Sequence, residues 1–143
     1  MDITALAERP MSESKDRAVP GATLTVLVAE DDATVRTLIV RQLEQDGHRV
    51  LSAENGREAM LLAAQHQGVI DYLVTDYVMP WVSGPELVDA LWHTRPETKV
   101  IFMSSFVPSA DAMPELPPER VTFIAKPFTM SELKGVLAAR NVN

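Results

Sequence analysis

The chain has 143 residues, 46% of them hydrophobic and 23% charged, with a net charge of -7 and no cysteine. That length suits one domain able to bury about two-thirds of its unfolded surface. The acidic balance argues against a nucleic-acid partner, whose phosphates are neutralised mainly by Lys and Arg. The missing cysteines exclude disulfides and thiolate metal sites and fit a reducing, cytoplasmic setting.

Residues 1–22 read as a flexible tail. Met1 to Arg9 carries acids and lacks the apolar core of a secretory signal. Glu8 to Arg17 is polar, and Pro20-Gly21 punctuates its end. Such a segment buries too little apolar surface to offset its ordering entropy. No apolar run in the chain approaches the ~20 residues of a bilayer span.

From Thr23 onward strands and helices alternate. Thr23 to Ala29 is a near-continuous apolar run, the pattern of a strand covered on both faces. Val35, Leu38, Ile39 and Leu43 recur at helical spacing, and Gly47 ends that helix. His48 to Ala53 follows as a second strand. Asn55 with Glu58 three residues on opens a helix carrying Met60, Leu61 and Ala64. Val69 to Thr75 is the third strand. Ser83 and Glu86 form a capping box for a helix through Leu87, Leu91 and Trp92. Lys99 to Met103 and Val121 to Ala125 are the fourth and fifth strands. Thr129 and Glu132 cap a last helix whose inner face is Leu133, Val136 and Leu137.

These cycles predict an α/β domain over residues 23–140, a doubly wound five-stranded parallel sheet, with residues 141–143 as a C-terminal tail. One cycle departs from the rule. Prolines at 108, 114, 117 and 118 interrupt the stretch between the last two strands. An interior proline costs a helix about 3 kcal/mol, so a shortened or irregular fourth helix is expected there.

Chemistry-bearing groups stand where the apolar runs stop. Glu30-Asp31-Asp32 follow the first strand, Asp76 the third, Ser104-Ser105 the fourth and Lys126-Pro127 the fifth. Ligands of open parallel sheets bind just beyond the carboxyl ends of the strands, so these groups are expected in one pocket. Asp76 is the expected nucleophile, since a carboxylate attacking phosphorus gives an acyl phosphate. Two anions approaching each other need neutralisation. Magnesium, which prefers hard oxygen ligands, suits Glu30 and Asp31, with Lys126 as the second positive charge. Ser104, rather than its neighbour Ser105, is expected to donate to a phosphoryl oxygen. Asp32 is read as the cap of the first helix. His48, His66 and His93 share no metal-ligand spacing and receive no role. Trp81 and Trp92 are read as packing or surface contacts.

Together these residues resemble the receiver domain of two-component response regulators. The resemblance covers about Thr23 to Arg140. It rests on Val26-Leu27-Val28-Ala29-Glu30-Asp31-Asp32, Val74-Thr75-Asp76-Tyr77-Val78-Met79-Pro80 with Ser83-Gly84-Pro85-Glu86-Leu87, Val100-Ile101-Phe102-Met103-Ser104-Ser105, and Phe123-Ile124-Ala125-Lys126-Pro127-Phe128-Thr129. It implies a flavodoxin-like sheet of order 2-1-3-4-5 and phosphorylation of Asp76 by a histidine kinase or histidine phosphotransfer protein. It also implies Mg2+ held by Asp31, Asp76 and the backbone carbonyl of Val78, with Glu30 in support. A cis Lys126-Pro127 bond and a switch through Ser104 and Phe123 belong to the same pattern. The proline-rich stretch is most similar to receivers of hybrid sensor kinases.

The expected role is therefore a cytoplasmic phosphorelay module, not an enzyme, switching an unknown downstream protein without an output domain of its own. It is expected to contact neither nucleic acid nor membrane. Two other readings compete. One is a pseudo-receiver that binds partners without phosphate. The other is a magnesium-dependent phosphohydrolase, echoed by Glu30-Asp31-Asp32-Ala33-Thr34 but opposed by a glutamate at the nucleophile position.

Overall fold

Five strands rich in branched apolar residues need both faces covered, and the chain meets this with helices on either side of one sheet. The structure, a computed structural model, describes residues 23–105, 117 and 119–142. In chain order the elements are β1 (Thr25–Ala29), α1 (Ala33–Gln45), β2 (Arg49–Ala53), α2 (Gly56–Gln65), β3 (Tyr72–Asp76), α3 (Gly84–Thr94), β4 (Lys99–Ser104), β5 (Val121–Ala125) and α4 (Met130–Val142). All strands are parallel in the order β2-β1-β3-β4-β5. This is the doubly wound sheet expected from the alternation, in the flavodoxin-like order that the resemblance implies. The expected irregular fourth helix and the tail over residues 1–22 lie outside the described residues.

Alternation along each strand divides the core into two layers. Leu27, Ala29, Leu73, Val100 and Phe102 point to the side covered by Ala59, Ala63, Leu87, Val88 and Leu91 of α2 and α3. Val26, Val28, Tyr72, Val74, Ile101 and Met103 point to the other, covered by Ile39, Leu43, Leu133 and Leu137 of α1 and α4. Every residue of β3 is buried, as the central position requires.

The caps do what their sequences promise. Ser83 and Glu86 form a reciprocal capping box, and Thr129 and Glu132 bond in the same reciprocal way. At α2 only half the box forms: Asn55 accepts from the Glu58 N–H, whereas Glu58 accepts from the N–H of Glu54 instead of Asn55. α1 ends in a Schellman motif, with Gly47 at φ +92° and the His48 N–H donating back to the Leu43 carbonyl.

Some expectations need correcting. β3 begins at Tyr72, not Val69, because pairing with β1 and β4 starts there; Val69 is exposed. Asp71 instead ties the strand ends, its carboxylate accepting the Thr25 N–H at 2.8 Å. Leu38 and Leu61 are exposed and so is Ala64, while Ala59 and Ala63 face the core of α2. Small side chains let that helix approach closely, so its inner stripe is shifted from the one its larger residues suggest. His48 is half-buried and structural: its Nδ1 accepts the Leu24 N–H at 3.1 Å. α4 runs from Met130 to Val142 and carries Gly135 in its interior.

A candidate phosphoacceptor pocket

Ordinary strand and helix geometry delivers the acidic residues. β1 ends at Ala29, and the completely buried Glu30 is the next residue, its N–H donating to the Ala53 carbonyl of β2. Asp31 then faces solvent, and Asp32 caps α1 by accepting from the N–H groups of Thr34 and Val35. Asp76 is the last residue of β3 and only 5% exposed. Oxygens of Glu30, Asp31 and Asp76 all lie within 4.8 Å of one another. Two buried acids and one exposed acid thus share one mouth.

Lys126 closes the cluster from β5. Its Nζ lies 2.5 Å from Asp76 Oδ1 and 2.9 Å from Glu30 Oε1. The other Glu30 oxygen accepts the Asp32 N–H at 2.9 Å, so Glu30 holds both the lysine and the turn beside it. The Lys126 N–H donates to the Ser104 carbonyl at 2.7 Å, and the Lys126-Pro127 bond is cis. Ser104 is buried at the end of β4, while Ser105 is exposed.

One ammonium faces two buried carboxylates, and the electrostatics follow. Burial pushes the Asp76 carboxyl from its ordinary 3.8 up to about 8; neighbouring Glu30 adds to the rise and Lys126 opposes it. Burial pulls the Lys126 ammonium down, but its bonds to Asp76 and Glu30 outweigh this and hold it above its ordinary value. A third carboxylate, Asp31, lies against the pair. The cluster has unspent negative charge and only oxygen donors, which fits a hard divalent cation such as Mg2+.

The loop from Asp76 to α3 is held at several points. The Tyr77 N–H donates to the Met103 carbonyl and the Gly84 N–H to the Tyr77 carbonyl. Met79 is buried and its sulfur accepts from the Thr75 hydroxyl at 3.8 Å. A Cβ on Gly84 would stand 2.4 Å from the Asp76 carbonyl oxygen, so only glycine allows this approach. Val78 stands 68% exposed on the loop.

The structure therefore brings Glu30, Asp31, Asp76 and Lys126 together and places Ser104 on the adjoining strand end. Phe123 lies elsewhere, half-buried among aromatics, stacked on Phe102 at 5.2 Å and tilted against Tyr77 at 6.0 Å. Sequence reading missed Arg36, whose guanidinium donates to the Glu30 carbonyl at 2.7 Å and braces the acidic turn. Its position four residues after the Asp32 cap, one turn into α1, was the available signal. Beside Lys126 a groove of about 460 Å³ runs along Val35, Leu38, Phe128 and Met130.

Over most of its length the chain is similar to known proteins. The family model described as the response regulator receiver domain matches residues 26–138. The sensor kinase CckA of Brucella abortus (strain 2308) is 36% identical over 126 residues, covering 84% of this chain and 13% of that protein. This chain thus spans about an eighth of CckA's length. The response regulator receiver protein CpdR of the same organism is 31% identical over 113 residues, covering 76% of this chain and 88% of CpdR. The crystal structure of the receiver domain from the hybrid histidine kinase CckA matches with a TM-score of 0.70 at 28% identity, covering 83% of this chain and 99% of that one. The chain belongs to the response regulator receiver domain family.

Proposed function

We propose that the chain is the phosphoacceptor module of a cytoplasmic two-component phosphorelay. Asp76 takes a phosphoryl group from a phosphohistidine on a histidine kinase or histidine phosphotransfer protein. An Asp76 carboxylate oxygen attacks phosphorus, the bond to the donor imidazole nitrogen breaks, and its electron pair stays on the ring. No strong base is needed, because loose phosphoryl transfer depends on positioning and charge neutralisation. Asp31, Asp76 and the Val78 carbonyl, with Glu30 in support, would hold Mg2+, which when bound would supply much of the positive charge that lets the two anions meet.

The protein's own groups do the rest. Lys126 balances Asp76 at rest and a phosphoryl oxygen afterwards. Glu30 keeps that ammonium aimed at Asp76, and Ser104 donates to another phosphoryl oxygen. Phe123 conveys the change outward to a downstream protein, so the product is a signal and the module is not an enzyme in the turnover sense.

One observation carries this reading: an ammonium bonded to two buried carboxylates at the mouth of a parallel sheet, with a third carboxylate against them. The test is intact mass after mixing with acetyl phosphate and Mg2+. The wild type is expected to gain one phosphoryl group and Asp76→Asn none; the same gain in Asp76→Asn would move the site elsewhere.

A further inference from the structure

The loop after Asp76 holds a residue that the phosphoacceptor chemistry does not use. The Val82 N–H donates to the Pro80 carbonyl at 2.7 Å, closing a three-residue turn around Trp81 at φ +67°. This is the γ-turn of positive φ, which is rare and strained. A bulky side chain adopts such a backbone only where its surroundings impose it, and glycine would hold it freely. Trp81 nevertheless occupies the apex and leaves 78% of its surface in water. Among the described residues no hydrogen bond or ring contact holds its indole. Val78, three residues earlier, is 68% exposed.

The apex is rigid. Buried Met79 anchors one side, and on the other Val82 lies so near Gly56 of α2 that a Cβ there would stand 2.8 Å from the Val82 Cβ. Tryptophan is enriched among the few residues that dominate protein interfaces, and a rigid aromatic loses little entropy when covered. A loop that bears strain to present an indole is therefore preorganised for binding. Its position says what binds. Asp76 is 5% exposed at the base of this loop, so a macromolecule delivering phosphorus to it approaches the surface that the loop, starting at Tyr77, helps to form. A small phosphodonor need not touch that surface.

We propose that Trp81 is an anchor for the protein phosphodonor, a specificity-determining residue that contacts the donor's surface beside its phosphohistidine. The proposal rests on Asp76 being the phosphoacceptor. The test compares wild type, Trp81→Gly and Trp81→Phe with two kinds of donor. One is acetyl phosphate with Mg2+; the other is autophosphorylated CckA of Brucella abortus together with a panel of other autophosphorylated sensor kinases. Acetyl phosphate is expected to label all three proteins at equal rates. Transfer from the kinases that label the wild type is expected to fall roughly 10- to 100-fold in kcat/KM for Trp81→Gly and to be largely retained in Trp81→Phe. Undiminished kinase transfer to Trp81→Gly would overturn the proposal. So would a parallel loss with acetyl phosphate, which would place the effect in the pocket, or a wild type labelled by acetyl phosphate and by no kinase. Failure of acetyl phosphate to label the wild type would instead overturn the phosphoacceptor reading itself.

Discussion

Asp76 is an acid made reluctant to ionise by the fold that needs it. Its carboxyl is held near 8 against an ordinary 3.8, so the folded state binds its proton more tightly between those values. The stability of the metal-free domain therefore falls as pH rises from about 4 to about 8. Asp76→Asn removes that liability and is expected to stabilise the metal-free domain at pH 8 by about 1–4 kcal/mol. Urea unfolding at pH 5 and pH 8 measures it; a wild type equally stable at both would contradict the account. Lys126 works in the opposite sense. A partly screened unit-charge contact near 4 Å is worth roughly 1–4 kcal/mol, enough to bias a two-state switch. Lys126→Ala is expected to keep phosphorylation by acetyl phosphate at saturating Mg2+ while losing the change in partner affinity that phosphorylation brings. Equal loss of both would show that the lysine serves only the transfer. At this scale the sequence was informative: Glu30, Asp31, Asp76 and Lys126 each end an apolar run, and strand ends are where a parallel sheet gathers its groups. What it hid was how each is held. Nothing in the spacing shows that Glu30 is completely buried with both oxygens engaged, or that Arg36 braces its carbonyl.

Elements position these groups through a few close contacts. Gly84 at the start of α3 packs on the Asp76 carbonyl and on Phe102. Inserting a methyl into such a site costs typically 1–3 kcal/mol, so Gly84→Ala is expected to destabilise by about 3 kcal/mol and to slow labelling of Asp76. Denaturation midpoints and acetyl phosphate kinetics check both halves. Arg95, after α3, donates to the carbonyls of Ala63, His66 and Gly68 and so closes the end of α2. Hydrogen bonds to charged donors contribute about 1.5–3 kcal/mol; as Arg95 is only half-buried, Arg95→Ala is expected to cost about 2 kcal/mol, with the loss seen first in hydrogen exchange of α2. Helix starts were legible because Ser83, Thr129 and Asp32 carry caps with local chemistry. Helix faces were less so. The period of α2 is visible, yet Ala59 and Ala63 compete with larger neighbours for the inner stripe, and close packing against the sheet decides in favour of the small ones. His48 was missed because its partner Leu24, just before β1, lies 24 residues away in the chain.

For the whole molecule, strand order and layering follow from the alternation of apolar runs and capped helices, and the resemblance to receivers supplied the order 2-1-3-4-5 that alternation alone does not specify. The shared acidic mouth ties β1, β3 and β5 into one unit, so cation binding should be read as stability of the entire domain. At a hundredfold excess over Kd a ligand of the folded state adds about 2.7 kcal/mol. Mg2+ is therefore expected to raise Tm at pH 8, and to raise it less at pH 5, where a proton on Asp76 competes with the metal. Asp31→Ala should abolish the increment. A Tm gain independent of pH and of Asp31 would place the ion elsewhere.

The three-ring contact of Tyr77, Phe102 and Phe123 gives the sheet edge a property that a lone aromatic would lack. Tyr77 adjoins Asp76 in sequence and touches Phe123 both directly and through Phe102. For the proposed switch this gives two routes of unequal length to one side chain, so trimming one partner is expected to weaken the response without abolishing it.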